Sequence, residues 1–240
     1  MSRAKEKSMY YTLSFYPPLS EELAESIAAI RREHDPTAGF TKPHITVMFP
    51  VPESVGEVRL VRHIESVLSH RSPFSIRLGG FHKSHDHWLF LTLAEGEAEA
   101  KELYQLLYTG ILAEYRRCDI EFVPHLGLGL FLEDGCTYDW DNPQESDFDR
   151  GRYGAALQMA KTLPLDESFA VKTLHLTRVP DEVLEWAAGK RENMPKAIQI
   201  AEVRIMQQKV WAFFWSPPLG CLTRDVGIRA QGLRSCDRCM

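Results

Sequence analysis

Short runs in which apolar and polar residues alternate are separated by stretches in which apolar residues recur every three or four positions. Met9-Tyr-Tyr-Thr-Leu-Ser-Phe-Tyr16 is aromatic and β-prone, and Pro17-Pro18 stops it. Ser20, followed by Glu22 and Glu25, opens a helical stretch with Leu23, Ile27 and Ile30 on one face, ending near His34. Pro43-His44-Ile-Thr-Val-Met-Phe49 is predicted as a strand closed by Pro50 and Pro52. Period-two alternation sets Ile45, Val47 and Phe49 on one side and His44, Thr46 and Met48 on the other. A second helix is predicted over 54–70, and Phe74–Leu78 is a strand ending at Gly79-Gly80.

The same order then returns. His87–Leu93 is a strand, 95–116 a helix with Glu at its start and Arg116-Arg117 at its end, and Phe122–Phe131 a strand carrying Pro124-His125. Residues 152–162 are helical and Phe169–Thr177 is a strand; Glu133–Asp149 is an acidic insertion. The chain therefore predicts an internal duplication. One domain spans 1–215, with a first half at about 9–80 and a second at about 87–178. A short helix at 181–188 and a hairpin over about 197–215 (Ala197–Met206, Lys209–Trp215) follow, and an irregular tail fills 216–240.

Composition narrows the partners. Among 240 residues, 44% are hydrophobic and 25% charged, as in an ordinary globular protein, and the net charge is -5. That charge argues against tight binding of long nucleic acid, but a nucleotide or RNA end needs only a few local cations. Five scattered cysteines form no disulfide framework, and Cys236-x-x-Cys239 lacks a second pair for zinc. The charged start Met1–Lys7 precedes no apolar core, and no run approaches the roughly 20 apolar residues of a membrane span. These features lead to the expectation of a cytoplasmic monomer that binds no membrane and needs no cofactor.

His-x-Thr on a strand puts an imidazole and a hydroxyl on one face. The hydroxyl can donate to a phosphate oxygen while the imidazole, with a pKa near 6.5, moves a proton. Two such histidines across a phosphodiester permit in-line displacement without a metal. One match means little: with nine histidines, about one chance match is expected at ordinary residue frequencies. His44-Ile-Thr46 has a competitor in His175-Leu-Thr177 as well as a partner in His125. The duplication favours His125, because His44 and His125 each follow a proline on the third element of their half.

Pro43-His44-Ile-Thr-Val-Met-Phe and Phe122-Val-Pro-His125-Leu-Gly-Leu resemble the paired signatures of the two-histidine (2H) phosphoesterases, which include 2′-5′ RNA ligase-like proteins and cyclic nucleotide phosphodiesterases. The resemblance covers about residues 9–178. It implies an α+β, bilobal duplicated fold, with two antiparallel sheets lining a central cleft and helices outside. It also implies metal-independent chemistry at a 2′,3′-cyclic phosphate or 2′-5′ linkage, on a small nucleotide or RNA end. His44 and His125 would be the catalytic pair, and Thr46 and Gly127 the substrate-binding positions, with no metal site. Gly127 departs from the pattern, which has Ser or Thr there. Either one phosphate-gripping hydroxyl is lost, or a backbone N–H approaches the phosphate instead, or the domain binds nucleotide ends without turning them over.

Other residues have simpler readings. His82, His85 and His87 mark a polar hairpin tip or a metal cluster. Trp88, Tyr10 and Tyr11 are core aromatics or base-stacking rings. Lys42, Lys172 and Arg178 are surface cations or phosphate contacts. His63 and His70 are helix-surface residues, and His34 is a helix C-terminal cation.

Overall fold

The structure, a computed structural model, describes residues 9–139, 142–180 and 198–205. Eight strands carry the fold: β1 (Met9–Phe15), β2 (Ile45–Pro52), β3 (Phe74–Lys83), β4 (Trp88–Glu95), β5 (His125–Leu130), β6 (Ser168–Val171), β7 (Thr173–Pro180) and β8 (Ile198–Arg204). Four helices accompany them: α1 (Glu21–His34), α2 (Glu57–Leu68), α3 (Glu97–Leu107) and α4 (Arg150–Ala160). Ser20 caps α1 by accepting from the Leu23 N–H, and Asp149 caps α4 by accepting from the Arg152 N–H. No helix among the described residues is long and apolar enough to cross a membrane.

The fold mixes helices and strands, and the strands form one wholly antiparallel sheet in the order β6-β3-β4-β5-β2-β1-β7-β8. The two sheets implied by the resemblance are thus joined into one, at a single paired position between Ile45 and Leu126. Strands of the two sequence halves are also exchanged: β3 pairs with β4, and β7 pairs with β1. The predicted strand Phe169–Thr177 is two strands separated only by Lys172. β6 lies at one end of the strand order and β7 at the seventh place, yet their ends are within two residues in the chain. Only a strongly curled sheet satisfies both facts.

Leu13, Ile45, Leu91, Leu126 and Leu176 line one face of the sheet. Against that face pack the apolar stripes Leu23-Ile27-Ile30 of α1, Leu60-Ile64-Leu68 of α2 and Leu103-Leu107 of α3. α1 lies on β5, α2 near β8 and α3 near β2. The opposite face is left to polar and aromatic side chains.

Several expectations are corrected. Met48 does not share the face of His44 and Thr46. Leu13 pairs with Met48 and Ser14 with Thr46, so an extra residue bulges at Val47 and turns Met48 into the core, fully buried. Gly79-Gly80 does not end β3; it forms an irregularity within the strand, where Gly79 lies tight against Ala94. The helix predicted over 95–116 stops at Leu107 and continues as a 3₁₀ turn over Gly110–Tyr115. His34 is buried against Phe131 rather than presented as a cation, and burial lowers its pKa. His63 is half-buried and bonds the Leu107 carbonyl at 2.8 Å, tying α2 to α3. The helix expected at 181–188, the hairpin strand Lys209–Trp215 and the tail 216–240 lie outside the described residues.

Gly129 is where α1 seats on β5. An alanine there would put its Cβ 2.6 Å from the His34 Cβ and 3.1 Å from the His34 carbonyl oxygen. Gly129→Ala is expected to destabilise the chain by about 1–3 kcal/mol, read as a lower urea midpoint at unchanged slope. An unchanged midpoint would contradict this packing.

Candidate active site

The open face of the sheet has a regular grid of side chains. Antiparallel continuation of the Ile45–Leu126 pair sets His44 beside Gly127 and Thr46 beside His125. Such cross-strand neighbours have Cβ atoms roughly 5 Å apart. The flanking registers extend one polar row across the sheet: Thr92 beside His125, then Thr46 beside Ser14, Ser14 beside His175, and His175 beside Glu202. A second row holds Phe90 beside Gly127, then His44. Tyr16, just beyond β1, tilts against His44 with ring centroids 5.7 Å apart.

Both imidazoles are oriented in the same way. His44 Nδ1 lies 2.8 Å from the Lys42 carbonyl oxygen, and His125 Nδ1 lies 2.6 Å from the Val123 carbonyl oxygen. A carbonyl only accepts, so each Nδ1 carries the hydrogen and donates it. Each Nε2 is left with its lone pair. The segment before His44 is itself clamped. Buried Arg31 at the end of α1 pairs with Asp35 at 2.7 Å and donates to both the carbonyl and the hydroxyl oxygen of Thr41, each at 3.0 Å. On the other side, the Phe90 ring stacks on His125 with centroids 3.4 Å apart and planes within 11°.

These surroundings favour neutral imidazoles. Burial lowers the pKa of His44, against the hydrogen bond to Lys42; Arg31 lowers it further and Asp35 raises it. Burial lowers His125 to about 4, against the bond to Val123; charge on His44 lowers it, Asp86 raises it and His82 lowers it again. The charge of His44 acting on His125 places the two rings in one electrostatic environment.

A model of the 2′-5′ RNA ligase superfamily matches residues 19–181. The chain belongs to that superfamily, the 2H phosphoesterases. A Bacillus licheniformis protein that carries the name putative phosphoesterase is 25% identical over 128 residues, covering 52% of this chain and 73% of that protein. Crystal structures of E. coli LigT, in apo form and complexed with 3′-AMP, match 84% of this chain and 100% and 99% of theirs. Both have a TM-score of 0.45, at 13% and 14% identity. A likeness this distant says nothing further about the chain.

Within this superfamily member, His44, Thr46, His125 and Gly127 come together at the junction of β2 and β5. His175 lies on the same face, two strands from Thr46. Trp88 also faces this side: a Cβ at Gly127 would lie 3.7 Å from its ring. Tyr11 is core. Lys42 and Lys172 are exposed, and Arg178 is paired with Glu53 at 2.6 Å. The three tip histidines do not converge: His82 stacks near Phe90, His85 is exposed, and buried His87 bonds the Gln144 carbonyl at 2.9 Å. Ser14, Tyr16 and Phe90 were not legible as site residues, because long-range strand pairing brings them to this face and no local motif encodes it. Asp86, buried in the β3–β4 turn, bears on His125 through its charge.

The lowered values give a signed expectation. Unfolding returns both rings to about 6.5. Stability is therefore full above pH 6.5 and falls as pH drops towards 4, where the unfolded chain binds protons that the folded chain refuses. Imidazole NMR titration should give His125 a midpoint of about 4 and His44 one below 6.5, and Phe90→Ala should raise that of His125. A His125 midpoint at 6.5 or above would refute the described environment.

Proposed function

We propose that the chain is a metal-independent phosphodiester hydrolase acting on a 2′,3′-cyclic phosphate or 2′-5′-linked nucleotide end, with His44 and His125 as acid and base. Superfamily membership points to phosphoesterase or RNA ligase-like activity in general; the narrower reading rests on the site. The observation that carries it is the pair of imidazoles, one immediately before β2 and one at the start of the adjoining β5, each with Nδ1–H tied to a carbonyl and Nε2 left for proton transfer.

A phosphate between the rings supplies the missing charge. An anion held close favours one imidazolium, so the pair shares one proton although both rings are neutral without it. The unprotonated Nε2 takes a proton from water as the water oxygen forms its bond to phosphorus. The protonated Nε2 gives its proton to the 2′- or 3′-oxygen as the ester bond breaks. The two rings end with exchanged protonation and re-equilibrate through solvent. Which ring is the base depends on which ester oxygen faces it. Thr46 donates to a non-bridging oxygen. The position at Gly127 lacks that hydroxyl, so the phosphate is held asymmetrically. The net charge of -5 favours a small substrate over long RNA.

Hydrolysis of nucleoside 2′,3′-cyclic phosphates and 2′-5′-linked dinucleotides, with a chelator present, tests the reading. His44→Ala and His125→Ala should each reduce kcat/KM by about 10²–10⁴-fold, the usual worth of a positioned proton-transfer group. Binding without turnover in the unaltered chain would make it a binding module and overturn the reading.

Gly127→Ser adds a second, opposite expectation. Its Cβ meets only ordinary contact with Trp88 at 3.7 Å, so the hydroxyl should be accommodated. One more bond to a charged oxygen should raise kcat/KM about tenfold. A decrease would mean that substrate uses the open space at Gly127.

A further inference from the structure

The second His-x-Thr motif, His175-Leu-Thr177, is not consumed by the acid–base pair, yet it shares their face. His175 pairs in register with Ser14, which pairs with Thr46. The Tyr16 ring meets His175 edge-on at 5.0 Å and His44 at 5.7 Å, so one aromatic ring links the two imidazoles. Thr177, largely buried, hydrogen-bonds Tyr16. His175 Nδ1 is buried, has no hydrogen-bond partner among the described residues, and lies 3.8 Å from a Glu202 carboxylate oxygen on β8. Nδ1 has no acceptor within hydrogen-bond reach among the described residues, so Nε2 is the nitrogen available to donate to a phosphate oxygen. Nε2 of His175 makes no hydrogen bond among the described residues, and the side chain is 21% exposed.

We propose that His175 is a substrate-binding residue for a second phosphate of the nucleotide, one unit away from the phosphate held between His44 and His125. Thr46 and His175 are two strands apart, roughly 10 Å at the ordinary strand spacing, a separation suited to the next phosphate along a nucleotide rather than to the reacting one. Ser14, itself buried, stands between them in register. The assignment rests on the preceding functional reading for the position of the first phosphate. It makes the chain selective for nucleotides that carry a further phosphate.

Isothermal titration of the full chain with cytidine 3′-monophosphate and cytidine 3′,5′-bisphosphate tests this without turnover. The bisphosphate should bind at least about tenfold more tightly, the worth of one hydrogen bond to a charged group. His175→Ala, and independently His175→Gln, should bring the ratio of the two affinities to within about twofold of one. Equal affinities in the unaltered chain, a preference that survives both substitutions, or binding of neither nucleotide overturns the proposal. Failure of the acid–base reading is seen separately, as hydrolysis undiminished by His44→Ala and His125→Ala, and leaves the phosphate preference measurable.

Discussion

The pairing of Ile45 with Leu126 is the constraint on which the rest of this molecule turns. Both side chains are almost wholly buried on the helix-covered face, each contributing on the order of 1.5–3 kcal/mol by its removal from water. Their backbones meet where β2 and β5 both begin, in opposite directions. A pleated strand gives its next residues no choice but the other face. The driving force is therefore hydrophobic and lies in the core, while its consequence is polar and lies on the surface: His44, Thr46, His125 and Gly127 are drawn into one small area.

The site built this way is rigid behind and open in front. The Arg31–Asp35 pair is buried, so it is a poor source of net stability. Its geometry instead fixes the Thr41 backbone immediately before the carbonyl that orients His44. His125 is held from two sides, by the Val123 carbonyl and by the Phe90 ring. Desolvation favours the uncharged form of both rings in the free protein.

The curl of the sheet brings the second feature of the molecule. Lys172 alone separates β6 from β7, and the chain crosses from the first to the seventh place in the sheet in that step. That crossing carries His175 onto the open face beside Ser14. Gly127 acts in the opposite sense: without a side chain there, the Trp88 ring and His44 border a gap. The face is thus unequal on its two sides, richer in donors towards β7 and more aromatic towards β4.

Local sequence determined the strands around His44 and His125, the capped helix after Ser20, and the matching of one Pro-His motif with another, because alternation, caps and prolines act over a few residues. It could not foresee the bulge that buries Met48, the division of Phe169–Thr177 at Lys172, or the break after Leu107. These depend on which strand or helix lies opposite, and no residue in those segments records its neighbour. The same holds for Phe90, Thr92, Ser14 and Glu202, ordinary strand residues until cross-strand register gives each a neighbour, and for Tyr16 just beyond β1. Residue types and spacing therefore set which chemistry was available, and long-range pairing between strands decided which side chains share it.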